Sequence, residues 1–287
     1  MIDPVHVIGA SGRSGVALSK SLLADGVEVV PVVRNLDKWE AAQLPGEPRQ
    51  ADLRDIASME TALRDATRIV SCAHARYAPP ILAAAPADAT TVFLGSTRKF
   101  TRWPDAHGNG VIAGEKALLT SGRRGVMLHP TMIYGAQGED NVQRLSRLMR
   151  KLPVLLLPGG GKFLVQPIHQ SDVTRCIRAA LDRDWPEPRA LVIAGPESMA
   201  YADFARAVGV AAGLGRKRIV PFPAGPLIFI ARISQHASRN PPVRPEEIQR
   251  LLEDKAFDIA DMRRMLGVEP IPLEKGLALT FGVSHEP

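Results

Sequence analysis

The sequence predicts an α/β protein, a doubly wound parallel sheet with a smaller C-terminal lobe. Three observations predict it. Apolar runs of strand type alternate with helical patterns through the first two thirds of the chain, which gives a parallel sheet covered by helices on both faces. The first run, Val5-His6-Val7-Ile8, leads directly into the glycine turn Gly9-Ala10-Ser11-Gly12-Arg13-Ser14-Gly15 and then into a helical stretch. Beyond about residue 131 the texture changes, and past residue 212 the chain is richer in proline, with Pro221, Pro223, Pro226, Pro241, Pro242 and Pro245.

In order, the helix after the turn carries apolar Leu18, Leu22 and Leu23 on one side. A second strand is expected over 27–33, ending at Arg34-Asn35, with a short helix at 38–42. Arg49-Gln50-Ala51 reads as a short third strand, followed by a helix over 56–63. Strands four, five and six are expected at 68–72, 91–94 and 125–128. A loop with a flexible Gly108-Asn109-Gly110 leads into a helix at 112–119. Later come an amphipathic helix at 141–152, an apolar run at 154–157, and a helix that Ser171-Asp172 would cap. A strand at 191–194 completes the sheet, and helices follow at 201–212, 246–253 and 259–266. The domain reading is a dinucleotide-binding Rossmann-type domain over 1–165 and a mostly substrate-side lobe over 166–287, closing over the carboxyl edge of the sheet where ligands bind in such folds.

Composition bounds the function. With 287 residues and 45% hydrophobic content the chain can bury a sizeable core. Its two cysteines, Cys72 and Cys176, have no metal or redox spacing and read as small buried groups, so no metal site is expected and a reducing compartment suits the chain. The first strand is expected close to Met1, so no signal peptide is expected, and no apolar run is long enough for a membrane span. A cytoplasmic protein is expected. The net charge of +6 favours anionic ligands such as phosphates. Basic residues are scattered and aromatics make up only 5%, so no nucleic-acid partner is expected.

Strand, glycine turn and helix form the context of a dinucleotide fingerprint. Among Gly9, Gly12 and Gly15, one allows the tight turn, one lets backbone approach a pyrophosphate, and one lets helix and strand pack closely. Ser11, Arg13 and Ser14 complete the turn, and the helix N-terminus beyond it offers amide hydrogens and a positive dipole end. The second strand ends in Arg34 with Lys38 one turn on, where an acidic residue would favour NAD. Arg34, with Arg13, suits a 2′-phosphate instead, so the expected cofactor is NADP rather than NAD. Asp52-Leu53 puts a carboxylate where it can meet the adenine amino group, cap a helix, or both.

Further segments extend the pattern: Ser71-Cys72-Ala73-His74, His129-Pro130-Thr131-Met132-Ile133-Tyr134-Gly135, Gln166-Pro167-Ile168-His169-Gln170-Ser171-Asp172-Val173, Gly195-Pro196-Glu197, and the tail Leu266-Gly267 … Pro272-Leu273-Glu274-Lys275-Gly276. In order and spacing the chain resembles the extended short-chain dehydrogenase/reductase superfamily, in its epimerase/dehydratase-like branch, over nearly its whole length. The resemblance implies cofactor contacts at Ala73, His74, Pro130 and Thr131, and a small-molecule or nucleotide-linked substrate. It leaves a homo-oligomer open.

The resemblance also implies a Tyr-x-x-x-Lys pair, in which the lysine stabilises a phenolate that is otherwise a useless base at neutral pH. Aligning Glu115 with the family's glutamate places Val111 at the lysine and His107 at the tyrosine, so both members are missing. Ser96 matches the family's supporting hydroxyl. Lys116, five residues from the lysine position, would face another way. Three readings stand. His107 and Ser96 form a substitute proton-transfer site, with His129 or Tyr134 nearby, since histidine titrates near neutrality without a lysine. Alternatively, hydride transfer proceeds with solvent as the acid. In the third reading the chain is a non-catalytic NADP(H)-binding sensor or accessory subunit, as in atypical members that lack the pair. His169, before a helix, reads as a packed histidine that fixes its loop.

Overall fold

The computed structural model describes residues 3–135, 140–237 and 244–282. Pro241 and Pro242, counted above in the proline-rich remainder, lie outside them. The first half of the chain runs β1 (Val5–Ile8), α1 (Arg13–Ala24), β2 (Val29–Val33), α2 (Leu36–Glu40), β3 (Arg49–Gln50), α3 (Ile56–Leu63), β4 (Arg68–Ser71), α4 (Ala78–Ala84), β5 (Thr90–Leu94), α5 (Ala106–Thr120) and β6 (Gly125–Pro130). Then come β7 (Ile133–Tyr134), α6 (Asp140–Lys151), β8 (Val154–Pro158), β9 (Leu164–Val165), β10 (Ile168–His169), α7 (Gln170–Leu181) and β11 (Arg189–Ile193). The rest is β12 (Met199–Ala200), α8 (Tyr201–Ala211), β13 (Arg218–Phe222), α9 (Ala224–Ala237), α10 (Pro245–Arg250), α11 (Ala260–Leu266) and α12 (Leu273–Phe281).

Seven strands form one parallel sheet in the order β11-β6-β5-β4-β1-β2-β3. The order reverses beside β1, which puts the glycine turn at the switch point where such sheets bind ligands. Strand residues alternate between two cores, as a period of two requires. Val5, Val7, Val70, Val92 and Val126 face a core with α1, α7 and α11. Ile8, Ile69, Phe93 and Met127 face another with α3, α4 and α5. Burial on both faces explains why these strands read as continuous apolar runs. A third core gathers Tyr134, Val142, Leu145, Phe204 and Leu277 from β7, α6, α8 and α12. Gly276 lets α12 cross Tyr134, because a Cβ there would stand 2.0 Å from the tyrosine hydroxyl.

The structure differs from the sequence reading at several points. Helix α5 begins at Ala106, not at 112, so His107, Gly108 and Gly110 are helical rather than in a flexible loop. Asp105 caps it by accepting the Gly108 amide at 2.8 Å. The glycines are there for packing: a Cβ at Gly114 would lie 2.0 Å from the Ala75 carbonyl oxygen, and one at Gly108 would lie 3.0 Å from that of Arg98. Helix α7 is capped by His169, whose Nδ1 accepts the Ser171 amide, and not by Ser171-Asp172. Asp172 is instead fully buried, paired with Arg175 and accepting the Ile271 amide at 3.0 Å, which fastens the tail to α7. Helices α4 and α9 were hidden by prolines, which sit in the first turn of each.

Trp185 is 1% exposed and donates its indole N–H to the Ala180 carbonyl at 2.7 Å, filling the space between α7 and the sheet. Trp185→Ala should lower unfolding stability by about 3–5 kcal/mol, as large core deletions do. Urea denaturation of the two proteins checks this, and a loss below about 1 kcal/mol would contradict it.

Candidate functional site

The glycine turn is held by backbone contacts that only glycine permits. Gly9 has a φ of +74° and donates its amide to Val32 O at 2.9 Å. A Cβ on Gly15 would lie 2.3 Å from Gly9 O and 2.7 Å from the Ala10 Cα, so Gly15 is what lets α1 start against the strand. Gly12 is exposed, donates to Gly9 O at 2.9 Å, and is the N-cap of α1 without any side-chain cap. No side chain at the cap therefore occupies the first-turn amides, the arrangement that suits an anionic ligand. Gly9 also packs on the neighbouring strand end, where its Cβ would come within 3.2 Å of the Ala73 nitrogen. Ser11 and Ser14 are half-buried within the turn.

Along the rim, Arg13 and Arg34 are both exposed, at the start of α1 and just past β2. The Arg34 carbonyl accepts the Gln50 side-chain amide at 3.2 Å. Asn35, next to Arg34, caps α2 by accepting the Lys38 amide at 3.0 Å. Asp52 is exposed, its side chain accepts the Arg54 amide at 3.0 Å, and its own amide donates to Ser58 Oγ at 3.1 Å. The helix cap itself is Asp55, whose side chain accepts the Ser58 amide at 3.3 Å, so Asp52 is not the cap. Leu53 beside them is half-buried.

The ends of β4, β5 and β6 bring the remaining candidates together. His74 is half-buried after β4, and its Nδ1 accepts the Arg76 amide at 3.0 Å. The neutral ring then carries its proton on Nε2. Its ring meets that of His107 edge-on, 4.2 Å between centroids. Burial, then His107, Arg76 and Arg98, bring the His74 pKa down to about 4. Burial and Arg98 likewise lower that of His107, with Asp105 opposing. Both rings are therefore neutral at pH 7.

Ser96 lies after β5. Its Oγ accepts the Arg98 amide at 3.1 Å, and its own amide donates to His129 Nδ1 at 3.2 Å. His129 Nε2 stands 2.6 Å from Glu115, which also pairs with Lys99. Since Nδ1 accepts, Nε2 holds the proton, beside the carboxylate. Burial raises the Glu115 pKa, but the bonds to His129 and Lys99 outweigh it and hold the acid at about 2. Gly95 makes room, because a Cβ there would lie 2.3 Å from His129 Nδ1. Pro130 and Thr131 are buried, with the Thr131 hydroxyl donating to Gln166 O at 2.5 Å. Tyr134 is buried under α12 with its pKa pushed up, chiefly by burial, so it stands apart from His107 as a proton carrier.

Val111 is buried and Lys116 exposed, so neither replaces the family's lysine. Lys99 was missed by the sequence reading. Its signal was its place three residues after Ser96, while its partner Glu115 lies across the strand ends on α5. Arg98 and Arg250 were missed too. Glu253 accepts Thr101 Oγ1 at 2.9 Å and the Arg102 amide at 3.0 Å, which pins the segment after α10 to the loop before α5.

His6, His74, His107, His129 and His169 all titrate below the ordinary 6.5, each chiefly through burial. A folded-state pKa lowered in this way means that the unfolded chain binds more protons, so stability is full above about 6.5 and falls as pH drops toward 4. Glu115 adds a loss between about 4.5 and 2. The urea midpoint should therefore fall clearly between pH 7.5 and pH 5, and less so in His129→Gln. A flat midpoint over that range would refute the burial of these rings.

Among the described residues no helix is long and apolar enough to cross a membrane, and no group of three His, Cys, Asp or Glu is placed to hold a metal. Residues 9–104 match the NAD(P)H-binding family model. An uncharacterized protein of Mycobacterium tuberculosis is 27% identical over 274 residues, which cover 93% of this chain. The chain spans about 28% of the length of that relative. Among solved structures, the NADPH-dependent quinone oxidoreductase of Escherichia coli, in complex with NADPH, superposes with a TM-score of 0.73 at 17% identity, covering 96% of this chain and 98% of that one. The UDP-glucuronic acid 4-epimerase of Bacillus cereus, in complex with UDP-glucuronic acid and NAD, gives 0.73 at 15% identity over 98% of each chain. Residues 9–104 thus match the NAD(P)H-binding family model, and the whole chain shares its fold with these solved structures.

Proposed function

We propose that the chain is an NADP(H)-dependent oxidoreductase acting on a small or nucleotide-linked alcohol or carbonyl. The observation that carries the reading is His107. It sits in the first turn of α5 against His74, at the same carboxyl edge of the sheet as the glycine turn. The backbone of residues 9–15 would cradle the pyrophosphate, since any side chain at Gly15 would fill that turn. Arg34 and Arg13 would meet the 2′-phosphate, Asp52 and Leu53 the adenine side, and Ala73, His74, Pro130 and Thr131 the nicotinamide side. The bound dinucleotide supplies or accepts hydride. His107, neutral at pH 7, accepts the proton of a substrate hydroxyl within reach of Ser96. The Lys99–Glu115–His129 network holds the Ser96 amide and so fixes the β5 end. The lobe expected over 166–287 would close the substrate side.

The solved relatives support both a reductase and a nucleotide-sugar reading, through the NADPH of one and the UDP-glucuronic acid of the other. The second reading, a non-catalytic NADP(H) sensor or accessory subunit, is favoured by one observation: Val111 is buried where the family's lysine would stand.

Binding by isothermal titration should give a lower Kd for NADPH than for NADH. Arg34→Ala should weaken NADPH by about tenfold or more while sparing NADH, the scale of a lost charge-assisted bond. Tighter NADH binding would reverse the cofactor assignment. With a panel of carbonyl, quinone and UDP-sugar substrates, His107→Ala should cut kcat by about a hundredfold or more. In the oxidation direction the rate should stay level as pH falls below 6.5, because a base with a lowered pKa keeps its lone pair longer. An unchanged kcat in His107→Ala removes the histidine. Tight NADPH binding with no turnover across the panel selects the sensor.

A further inference from the structure

Two stretches of the chain, 141–171 and 204–245, contain 12 of its 36 basic residues and none of its 30 acidic ones. They carry +12, and the remaining 24 basic residues leave the rest of the chain at −6. Charge divided in this way points to an anionic partner surface.

The fold puts the two stretches side by side. β13 pairs in parallel with β8, with Arg218 beside Val154 and Val220 beside Leu156. α6 packs on α8, and α9 packs beside β8. Arg216, Lys217 and Arg218 therefore enter the two-stranded ribbon at the end where Arg150 and Lys151 close α6. Among the described residues none of these five is in an ion pair, whereas Arg144 and Arg206 are paired with Glu247 and Asp203. Of the acids on α10, which packs on α9, Glu247 is thus taken and Glu246 is exposed.

The same region turns apolar side chains outward. On α9, Pro226, Phe229, Ile230 and Ile233 are exposed at i, i+3, i+4 and i+7, a single stripe of the helix. Phe229, Ile230 and Ile233 are each more than half exposed, so they stand out from the surface rather than line a groove. A helix that buries one face, as α9 does with Ala231, ordinarily turns polar residues to the other. On β8, Leu156 is exposed between buried Leu155 and Leu157, and Leu152 is exposed just before the strand.

We infer that this face, the α9 stripe with the basic start of the β8–β13 ribbon, docks on the surface of an anionic lipid bilayer. The apolar side chains enter the acyl boundary while the arginines and lysines stay with the headgroups. Docking is interfacial, since no helix among the described residues is long and apolar enough to cross a membrane. Charge complementarity selects this occupant. A second copy of the face would set like charge against like. A nucleic acid would be met by aromatic stacking platforms rather than by an aliphatic stripe.

The test is sedimentation of the full chain with two kinds of vesicle, phosphatidylcholine alone and phosphatidylcholine with an equal share of phosphatidylglycerol. Partitioning should be about tenfold or more stronger to the anionic vesicles, and should fall as salt rises from about 0.1 M to about 1 M. Phe229→Ser/Ile233→Ser and, separately, Arg216→Gln/Arg218→Gln should each weaken it by about fivefold or more with the NADPH Kd unchanged. Leu119→Ser, which removes an exposed apolar side chain on α5, should bind as the parent chain does. The inference is overturned if the parent chain ignores anionic vesicles, if it binds both kinds equally, or if the folded double variants bind as well as the parent. Without vesicle binding, a dimer that Phe229→Ser/Ile233→Ser dissociates assigns the face to a second copy. Salt-sensitive binding of an oligonucleotide or of polyglutamate, again without vesicle binding, assigns it to a nucleic acid or an acidic protein. Each of these results overturns the lipid surface. The comparison of vesicles and salt in the parent chain holds whether or not a variant folds.

Discussion

The structure depends first on how closely backbone meets backbone at the end of β1. Gly15 lies so near Gly9 and Ala10 that a single methyl group would penetrate the turn, at 2.3 Å from a carbonyl oxygen. That contact sets where α1 begins and how it lies on the sheet. It also leaves the first turn without a side-chain cap, so the dipole end of α1 opens at the reversal of strand order. Everything at the carboxyl edge is arranged relative to this point: the exposed arginines beyond β2 and on α1 to one side, and the histidines after β4 and on α5 to the other.

The same device recurs on α5. A helix with glycine at 108, 110 and 114 loses intrinsic stability, roughly 1 kcal/mol per glycine relative to alanine. Close packing on Ala75 and Arg98 compensates and brings His107 against His74. Burial then decides the chemistry of the rings, because desolvation keeps both neutral at pH 7 despite Asp105 nearby. Lys99, Glu115 and buried His129 form a partly buried polar network in which both partners lower the Glu115 pKa against the effect of burial. Such a network holds the β5 end in one place, and breaking any member leaves an uncompensated buried group.

Much of the architecture was legible because it rests on local rules. Strands buried on both faces read as apolar runs, and the turn at residues 9–15 announced itself through glycine spacing between a strand and a helix. Proline and glycine misled where their context was tertiary. Pro79 and Pro80 occupy the first turn of α4, a helix the sequence reading did not include, and Gly108-Asn109-Gly110 looked like a loop but is helix. His169 was read as a loop anchor and is the cap of α7, while Asp172, the expected neighbour of the cap, is the buried link to the tail.

By itself the sequence determined the sheet, the glycine turn, the absence of the Tyr-x-x-x-Lys pair, and the arginine where an acid would favour NAD, because each depends on residues adjacent in the chain or one helical turn apart. Only the tertiary structure decided that His74 faces His107, that Lys99 and His129 share Glu115, and that Thr101 meets Glu253 across about 150 residues of chain. Those contacts are made between strand ends and lobes, where position is set by packing of the whole core and leaves no periodic trace in the sequence.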